Sequence, residues 1–551
     1  MNNYRIISLA LILGLSALIC HGAPQTDKYI QVPGLLDLRT DFSDGSHTLE
    51  FIIQLAKKRG FDVLFITDHD RKVLEYGLRP YQNILKKRVE MPSINKTGSG
   101  NYLEMIQSAS KKHPEMILIP GAESAPFYYW KGSYLRKNLT VCDWEKHLIV
   151  IGLDKPEDFK ELPILHNGFS TRYISSWLTV GFFLLFIPLA VGIYLVTKKG
   201  ILRWAGIILS LFSLLLLINN HPFRSSPYDQ YHGNQGIQPY QLVIDYVNSR
   251  GGMVFWNHPE TKSGGGKIDF IFKDTPPHPY VLTESKNYTG FAALYGDSIT
   301  VTEPGNLWDK VLMEYCSGLR SHPAWGISSA DFHQEGAAGE KLGNFPTVFL
   351  VKRKTREALL DALKNGRMYA YRGDVALPRL VLEDFSITDS EYSRRGVLGE
   401  EIQLKNSAKI SIRITTSSPE KGNRTTVRLI KEGKLLKTFS GETPLTFTYT
   451  DENCQSNQKT YYRLDVKDKK DRIIVSNPIF VEFSSTNSHQ SLSFISLFPL
   501  TACCEQLSPP MFSNAHIFQS RQNEHPAFSC VLRMEESGEF SEGGFVGKVP
   551  F

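Results

Sequence analysis

Two apolar runs in the middle of the chain, 177–197 and 201–218, are separated only by Lys198, Lys199 and Gly200. Each approaches the ~20 residues that cross a bilayer, and soluble helices seldom run so long without a polar face. They predict a transmembrane helical hairpin over 175–219. Lys198, Lys199 and Arg203 cluster at its turn, and positive charge beside a span marks the cytoplasmic side. The segments before 175 and after 220 are then both extracytoplasmic, periplasmic or extracellular, with the chain anchored in a membrane. The N-terminus points the same way. Arg5, an apolar run over 6–19 and small residues before Ala23 have the layout of a secretory signal over 1–22, removed near Ala23 or retained as an anchor.

Outside these runs the chain is long enough for several domains, and 42% hydrophobic residues supply cores for them. A net charge of +6 over 551 residues is too dilute for a nucleic-acid footprint, so no specific nucleic-acid binding is expected. The seven cysteines fall in no CxxC spacing, which leaves histidine and carboxylate to hold any metal.

Around the hairpin, short apolar strand patterns alternate with helical ones. Strand patterns at 35–38, 63–66, 116–119, 148–151, 252–256 and 325–328 end in polar residues, and helical spacing appears at 49–56 and 240–247. Alternation of this kind predicts an α/β barrel or parallel sheet, which places its site at strand C-termini. From 377 to 484 the pattern changes to closely spaced alternating runs, as in an all-β sandwich. No catalytic cluster stands out there. Residues 485–551 are rich in Ser, Pro, Gln and Asn without sustained periodicity, which predicts a disordered tail.

Asp44, His69, Glu123, His147, His258, Asp331 and His333 all lie at or beside predicted strand ends. A set made only of imidazoles and carboxylates suits Zn²⁺, Mn²⁺ or Fe²⁺. Singly, each residue has the simpler explanation of a satisfied core or surface group; the pattern carries the argument. Five motifs contain most of them: Asp37-Leu38-Arg39-Thr40-Asp41-Phe42-Ser43-Asp44-Gly45, Ile66-Thr67-Asp68-His69-Asp70, Pro120-Gly121-Ala122-Glu123, Phe255-Trp256-Asn257-His258-Pro259 and Ser329-Ala330-Asp331-Phe332-His333. In this order they resemble the polymerase and histidinol phosphatase (PHP) family of metal-dependent phosphoesterases. The resemblance covers two segments, 34–160 and 225–375, and implies a distorted (β/α)7 barrel interrupted by the transmembrane hairpin.

The resemblance also implies a ligand partition. Asp44, His69 and His333 are similar to one metal site, and Glu123, His147 and His258 to a second, with Glu123 bridging. The family's remaining site uses a His-x-His pair on the first strand with the bridging Glu and the Asp of the last motif, here Asp331. Arg39 and Asp41 stand where that pair is expected, so two or three divalent ions are implied. If strand alternation continues, Arg39 and Asp41 share a side. Asp41 then orients a guanidinium that binds substrate phosphate, or the two form a structural salt bridge. The expected function is hydrolysis of a phosphorylated small molecule or phosphodiester, with Glu123, Arg39 and Asp331 in catalytic roles. The alternative is a catalytically inactive, membrane-anchored binding or sensing module.

Overall fold

The first strand, Ile30–Leu38 (β1), buries its last five residues, because it lies inside a sheet covered on both faces. In the computed structural model, residues 29–483 are described, apart from 269–270, 298, 337–340, 390–394, 406, 421 and 454–457. The expected signal over 1–22 and tail over 485–551 lie outside the described residues. The described part belongs to one compact unit, residues 1–488.

The fold is mixed α/β. β1 pairs in parallel with Val63–Ile66 (β2), which pairs in parallel with Ile117–Ser124 (β3). Leu148–Ile151 (β4) follows antiparallel, then Met253–Trp256 (β5), antiparallel to β4. Gly290–Leu294 (β6) and Trp325–Ser328 (β7) continue parallel to β5. β2, β4, β5 and β7 bury every residue, which explains their unbroken apolar sequences. After β7 the chain returns to the end of β1. Ala330 N–H donates to Leu36 O, Phe332 N–H to Asp37 O, and Arg39 N–H to Phe332 O, at 3.0–3.1 Å. These bonds bring the polar residues after β7 against those after β1.

Helices cover the sheet by their apolar faces. Leu49–Lys58 (α1) starts at Thr48, whose side chain accepts from Phe51 N–H, and buries Leu49, Ile52, Ile53 and Ala56 at i, i+3, i+4 and i+7. Burying each of the larger three is worth roughly 1.5–3 kcal/mol. Two further inserts were not evident in sequence, the second of them mixed, with Ile271–Thr275 parallel to Leu139–Cys142. One is the hairpin Val73–Gly77 with Lys86–Glu90; the other is a four-stranded sheet from Tyr129–Lys131, Leu139–Cys142, Ser263–Ile268 and Ile271–Thr275.

The apolar insert departs from expectation. Ile201–Asn219 is the helix long and apolar enough to cross a membrane among the described residues. The first run is shorter and broken, into Val180–Leu184 and Phe186–Val196. Pro188 explains the break, since it has no N–H to give the Leu184 carbonyl and its ring clashes there. The two helices still pack backbone to backbone: a Cβ on Gly206 would come within 2.6 Å of Val196 N, and one on Gly192 within 2.8 Å of Ser210 N. β4 and β5 flank the insert and are hydrogen-bonded neighbours. The chain therefore leaves and re-enters the folded part on the same side.

The β-rich C-terminal region packs two sheets over a separate core. Arg395–Gly396, Leu380–Thr388, Ala408–Thr416 and Leu445–Asp451 form one, and Arg424–Lys431, Lys434–Glu442, Lys459–Asp468 and Ile473–Ser476 belong to the other. The second sheet is continuous with the first region: Pro346–Val351 (β8) pairs with β1, Met368–Arg372 (β9) with β8, and Ile473–Ser476 with β9. A buried Asn477 adds to the seam, accepting from Gly326 N–H at 2.7 Å and donating to the Gly326 and Met368 carbonyls.

Candidate metal centre

Three of the site residues sit where the backbone turns into the left-handed region: Asp37 (φ 66°), His258 (φ 27°) and Asp331 (φ 46°). Such conformations are costly for residues other than glycine and cluster where side chains must be aimed. At Asp37 the turn ends strand alternation, which changes the expected role of Asp41. Asp41 is exposed, its N–H bonded to His47 O, and Arg39 points inward to other carboxylates. The Arg39–Asp41 pairing expected from sequence is not the arrangement found.

Glu123, fully buried at the end of β3, is the hub. Its Oε2 accepts from Arg39 Nη2 and lies 3.4 Å from His69 Nδ1. Its Oε1 accepts from Asn257 Nδ2 at 2.7 Å and lies 2.9 Å from His147 Nδ1 and 3.6 Å from His258 Nε2. Two groups have their ligand atoms all within 4.8 Å of one another: His69, Glu123 and His147, and Glu123, His258 and Asp331. This partition differs from that implied by resemblance, because His147 sits beside His69 and Asp331 beside His258. Asp44 joins the first group through His69, with Oδ2 3.1 Å from Nε2. His333 stands further out, 3.9 Å from Asp44 Oδ2.

Arg39 is 1% exposed and reaches four carboxylates. Beside Glu123, its Nη1 is 2.7 Å from Asp331 and 3.6 Å from Asp37, and its Nε is 3.7 Å from Asp44. Burial opposes its charge, but Asp37, Asp331 and Asp44 outweigh burial and raise its pKa. Lys72, which sequence did not single out, places Nζ 2.8 Å from Asp44 Oδ2 and 3.1 Å from His69 Nε2, under the Trp144 ring. Asp37 and Asn257 were also missed as site residues. Asp37 accepts from Thr67, Asn257 and Ser329, and so ties β1, β2, β5 and the segment after β7 together beneath Glu123.

The residues present fit a divalent cation. Burial holds His147 at a pKa of about 3 and, with Lys72, pushes His69 well below its ordinary value. Both imidazoles are therefore neutral and can donate lone pairs. Neither His147 nitrogen makes a hydrogen bond although both are buried, as for His258 Nδ1 and Asp44 Oδ1. Orphaned polar atoms are costly in a core. In the inner ring the carboxylates of Asp37, Asp44, Glu123 and Asp331 outnumber the cations Arg39 and Lys72 by two. A divalent ion balances that excess. Within the second group, the Arg39 guanidinium already supplies positive charge to Glu123 and Asp331.

No family model and no curated protein matches the chain. Among solved structures it is similar to a two-domain protein from Bacteroides vulgatus described as containing a predicted PHP-like metal-dependent phosphoesterase. That likeness is 13% in identity with a TM-score of 0.32, covering 83% of this chain and 96% of that one. It is also similar to a protein from Bifidobacterium adolescentis described as a putative metal-dependent phosphoesterase, 14% identical with a TM-score of 0.25, covering 56% of this chain and 91% of that one. Any functional assignment of this chain rests on its own residues.

Proposed function

We propose that this chain is a metal-dependent phosphoesterase whose site is held on the extracytoplasmic side of a membrane by the apolar insert. The observation that carries the reading is the His69–Glu123–His147 group, whose buried His147 nitrogens make no hydrogen bond inside a ring of excess carboxylate charge. A Zn²⁺, Mn²⁺ or Fe²⁺ ion bound there supplies Lewis acidity toward a phosphoryl oxygen and lowers the pKa of a coordinated water.

The chain's own residues do the rest. Glu123 joins the two ligand groups, and Asn257 fixes its orientation by donating to both Glu123 and Asp37. Arg39, buried and held by Glu123 and Asp331, supplies a fixed positive charge beside the ligand groups. Lys72 offers a second cation at the partly exposed Asp44. A phosphate monoester or diester, carrying negative charge on several oxygens, is the substrate class this pairing suits. A distorted (β/α)7 barrel is the architecture we infer, supported by the parallel blocks β1–β2–β3 and β5–β6–β7 and by the return of 330–332 onto 36–39.

Membrane anchorage is supported by the exposed apolar surface of Ile201–Asn219, where Ile201, Trp204 and Ile208 are each two-thirds exposed or more. Lys198, Lys199 and Arg203 at the turn favour a cytoplasmic tip, which leaves the site outside. A second reading, an inactive binding module, is favoured by one observation: Arg39 occupies the side of the second ligand group where another ion would sit. Metal analysis of chelator-free full-length protein, with hydrolysis of chromogenic phosphomonoesters and phosphodiesters under added Mn²⁺ or Zn²⁺, separates the two. Bound metal with turnover supports the enzyme, bound metal without turnover supports the module, and absence of metal overturns the enzyme.

A further inference from the structure

A cavity of about 290 Å³, apart from the metal centre, lies where the apolar insert rejoins the folded part. The helix Ile201–Asn219 ends directly before it, and His221, Phe223 and Arg224 enter its lining. The other end of the insert is pinned there too. The Arg224 guanidinium stacks 4.1 Å over the Trp177 ring, and Trp177 Nε1 donates to Ser226 O. Both junctions of the insert therefore meet at the cavity. Headgroups occupy the few ångströms beyond a bilayer's hydrocarbon core, and the cavity lies within a few residues of the helix end.

The hairpin Val73–Gly77 with Lys86–Glu90 forms another wall, and its tip touches the membrane helix. Asn83 N–H donates to Asn219 Oδ1 at 2.8 Å, Asn83 Nδ2 donates to Asn219 O at 2.9 Å, and the Tyr81 and Phe212 rings are 5.5 Å apart. At this tip Leu78 and Leu85 are 50% and 56% exposed. Apolar side chains beside the end of a membrane helix, followed by Lys86 and Arg88, make an interfacial pattern: apolar groups toward acyl chains and cations at headgroup level.

The charge around the cavity is specific. Lys86, Arg88 and Arg224 face it, against Glu75 and Asp229. Lys86 lies 2.8 Å from Glu75, Arg88 lies 3.8 Å from Glu75 and 3.0 Å from Glu90, Glu90 also pairs with Arg71, and His232 lies 2.6 Å from Asp229. One net positive charge remains, which a single phosphodiester would neutralise. The field is felt by His166, whose pKa is pushed down to about 3, first by burial and then by Arg88, Lys86, Arg71 and Arg224.

We propose that this cavity binds the phosphate of an anionic phospholipid headgroup, with the 78–85 tip seated in the same leaflet. The proposal rests on the membrane reading of the insert and is independent of the metal centre. Lipid in this place would fix the height of the folded part above the bilayer.

The test uses the full-length chain in detergent, titrated with phosphatidylglycerol or phosphatidylcholine and read by native mass spectrometry. Preferential retention of phosphatidylglycerol is expected, with a roughly 30-fold loss in Lys86→Gln/Arg88→Gln and unchanged phosphatidylcholine retention. Equal retention of the two lipids, an unaffected double variant, or displacement of phosphatidylglycerol by equimolar inorganic phosphate would overturn it. A thermal midpoint of the double variant unchanged from the natural chain shows that folding survives; if it falls, Leu78→Ser/Leu85→Ser at the tip replaces it, with weaker phosphatidylglycerol retention expected. Alkaline carbonate extraction separates the two layers of the argument. A chain released by carbonate loses the membrane reading, whereas an inserted chain indifferent to phosphatidylglycerol loses the cavity proposal alone.

Discussion

Arg39 donates to Glu123 through Nη2 and holds Nη1 2.7 Å from Asp331 Oδ1, so one guanidinium links two carboxylates of the second ligand group. Both carboxylates belong, with His258, to a group whose ligand atoms lie close enough together to hold an ion. A planar, permanently charged group cannot be displaced by protonation changes near neutral pH, and its fork matches two carboxylates at once. The centre then pairs a fixed internal cation with a site for a mobile one.

Arg39→Met should therefore raise bound metal by about one ion per chain, because Glu123, His258 and Asp331 lose their internal counter-ion. Elemental analysis gives the count. Chelator should lower the thermal midpoint of this variant more than that of the natural chain, since only the variant depends on metal to balance those carboxylates. An unchanged metal count would show that the second group does not bind ions at all.

His147→Ala should remove metal from the first group. Only His69 and Glu123 would remain of its three ligands, and since changes to outer-shell partners alone weaken such sites by roughly 10–100-fold, loss of a direct ligand should cost at least as much. Hydrolysis should fall with occupancy and recover in part at high Mn²⁺. Since the His147 nitrogens make no hydrogen bonds, the metal-free fold loses little, and chemical denaturation in excess chelator should place the variant within about 1–2 kcal/mol of the natural chain.

The polar residues at strand ends were visible in sequence because fully buried strands read as unbroken apolar runs and end abruptly in Asp, Glu or His. Glu123 after Gly121-Ala122 and Asp331 after Ser328-Ser329-Ala330 are of this kind. What could not be read was where each side chain turns. The positive φ at Asp37 breaks the two-residue alternation, so Arg39 swings to Glu123 and Asp331 and leaves Asp41 outside. Lys72 was hidden for another reason: it lies past the His69 motif, and only the hairpin beginning at Val73 brings it back over Asp44. Pro188 was in plain view in the first apolar run, and its effect on the Leu184 carbonyl was the signal for a broken helix.

Lys72→Met should act on substrate binding. Its ammonium is 2.8 Å from Asp44 and stacks under Trp144, so it lies beside the first ligand group without being one of its ligands. A phosphoryl oxygen placed there gains one charge-assisted contact, worth about 1.5–3 kcal/mol. The variant should raise KM by one to two orders of magnitude with metal content unchanged. A fall in kcat at constant KM would instead assign Lys72 to the transition state.

The last prediction concerns the seam between the two regions. Asp309, on the helix Leu307–Cys316, and Arg463, in the strand Lys459–Asp468, are 2% and 0% exposed and form two hydrogen bonds of 2.8 Å. Asp309 also accepts from Tyr461 and from the Gly305 N–H, and Arg463 donates to Asp465 and to Thr302 O. Such a pair adds little over a well-packed apolar contact, but removing one partner strands the other without water. Asp309→Ala should cost about 3–5 kcal/mol, while Asp309→Leu/Arg463→Met, which removes both charges and keeps volume, should recover much of it. Chemical denaturation of the full chain reads both. Metal content and KM should not change at denaturant concentrations where the fold is intact, because neither residue belongs to the centre around Glu123. If Asp309→Ala proved neutral, the seam would be carried by the β9 pairing and the Asn477 bonds alone, and disrupting Asn477 would then become the more damaging change.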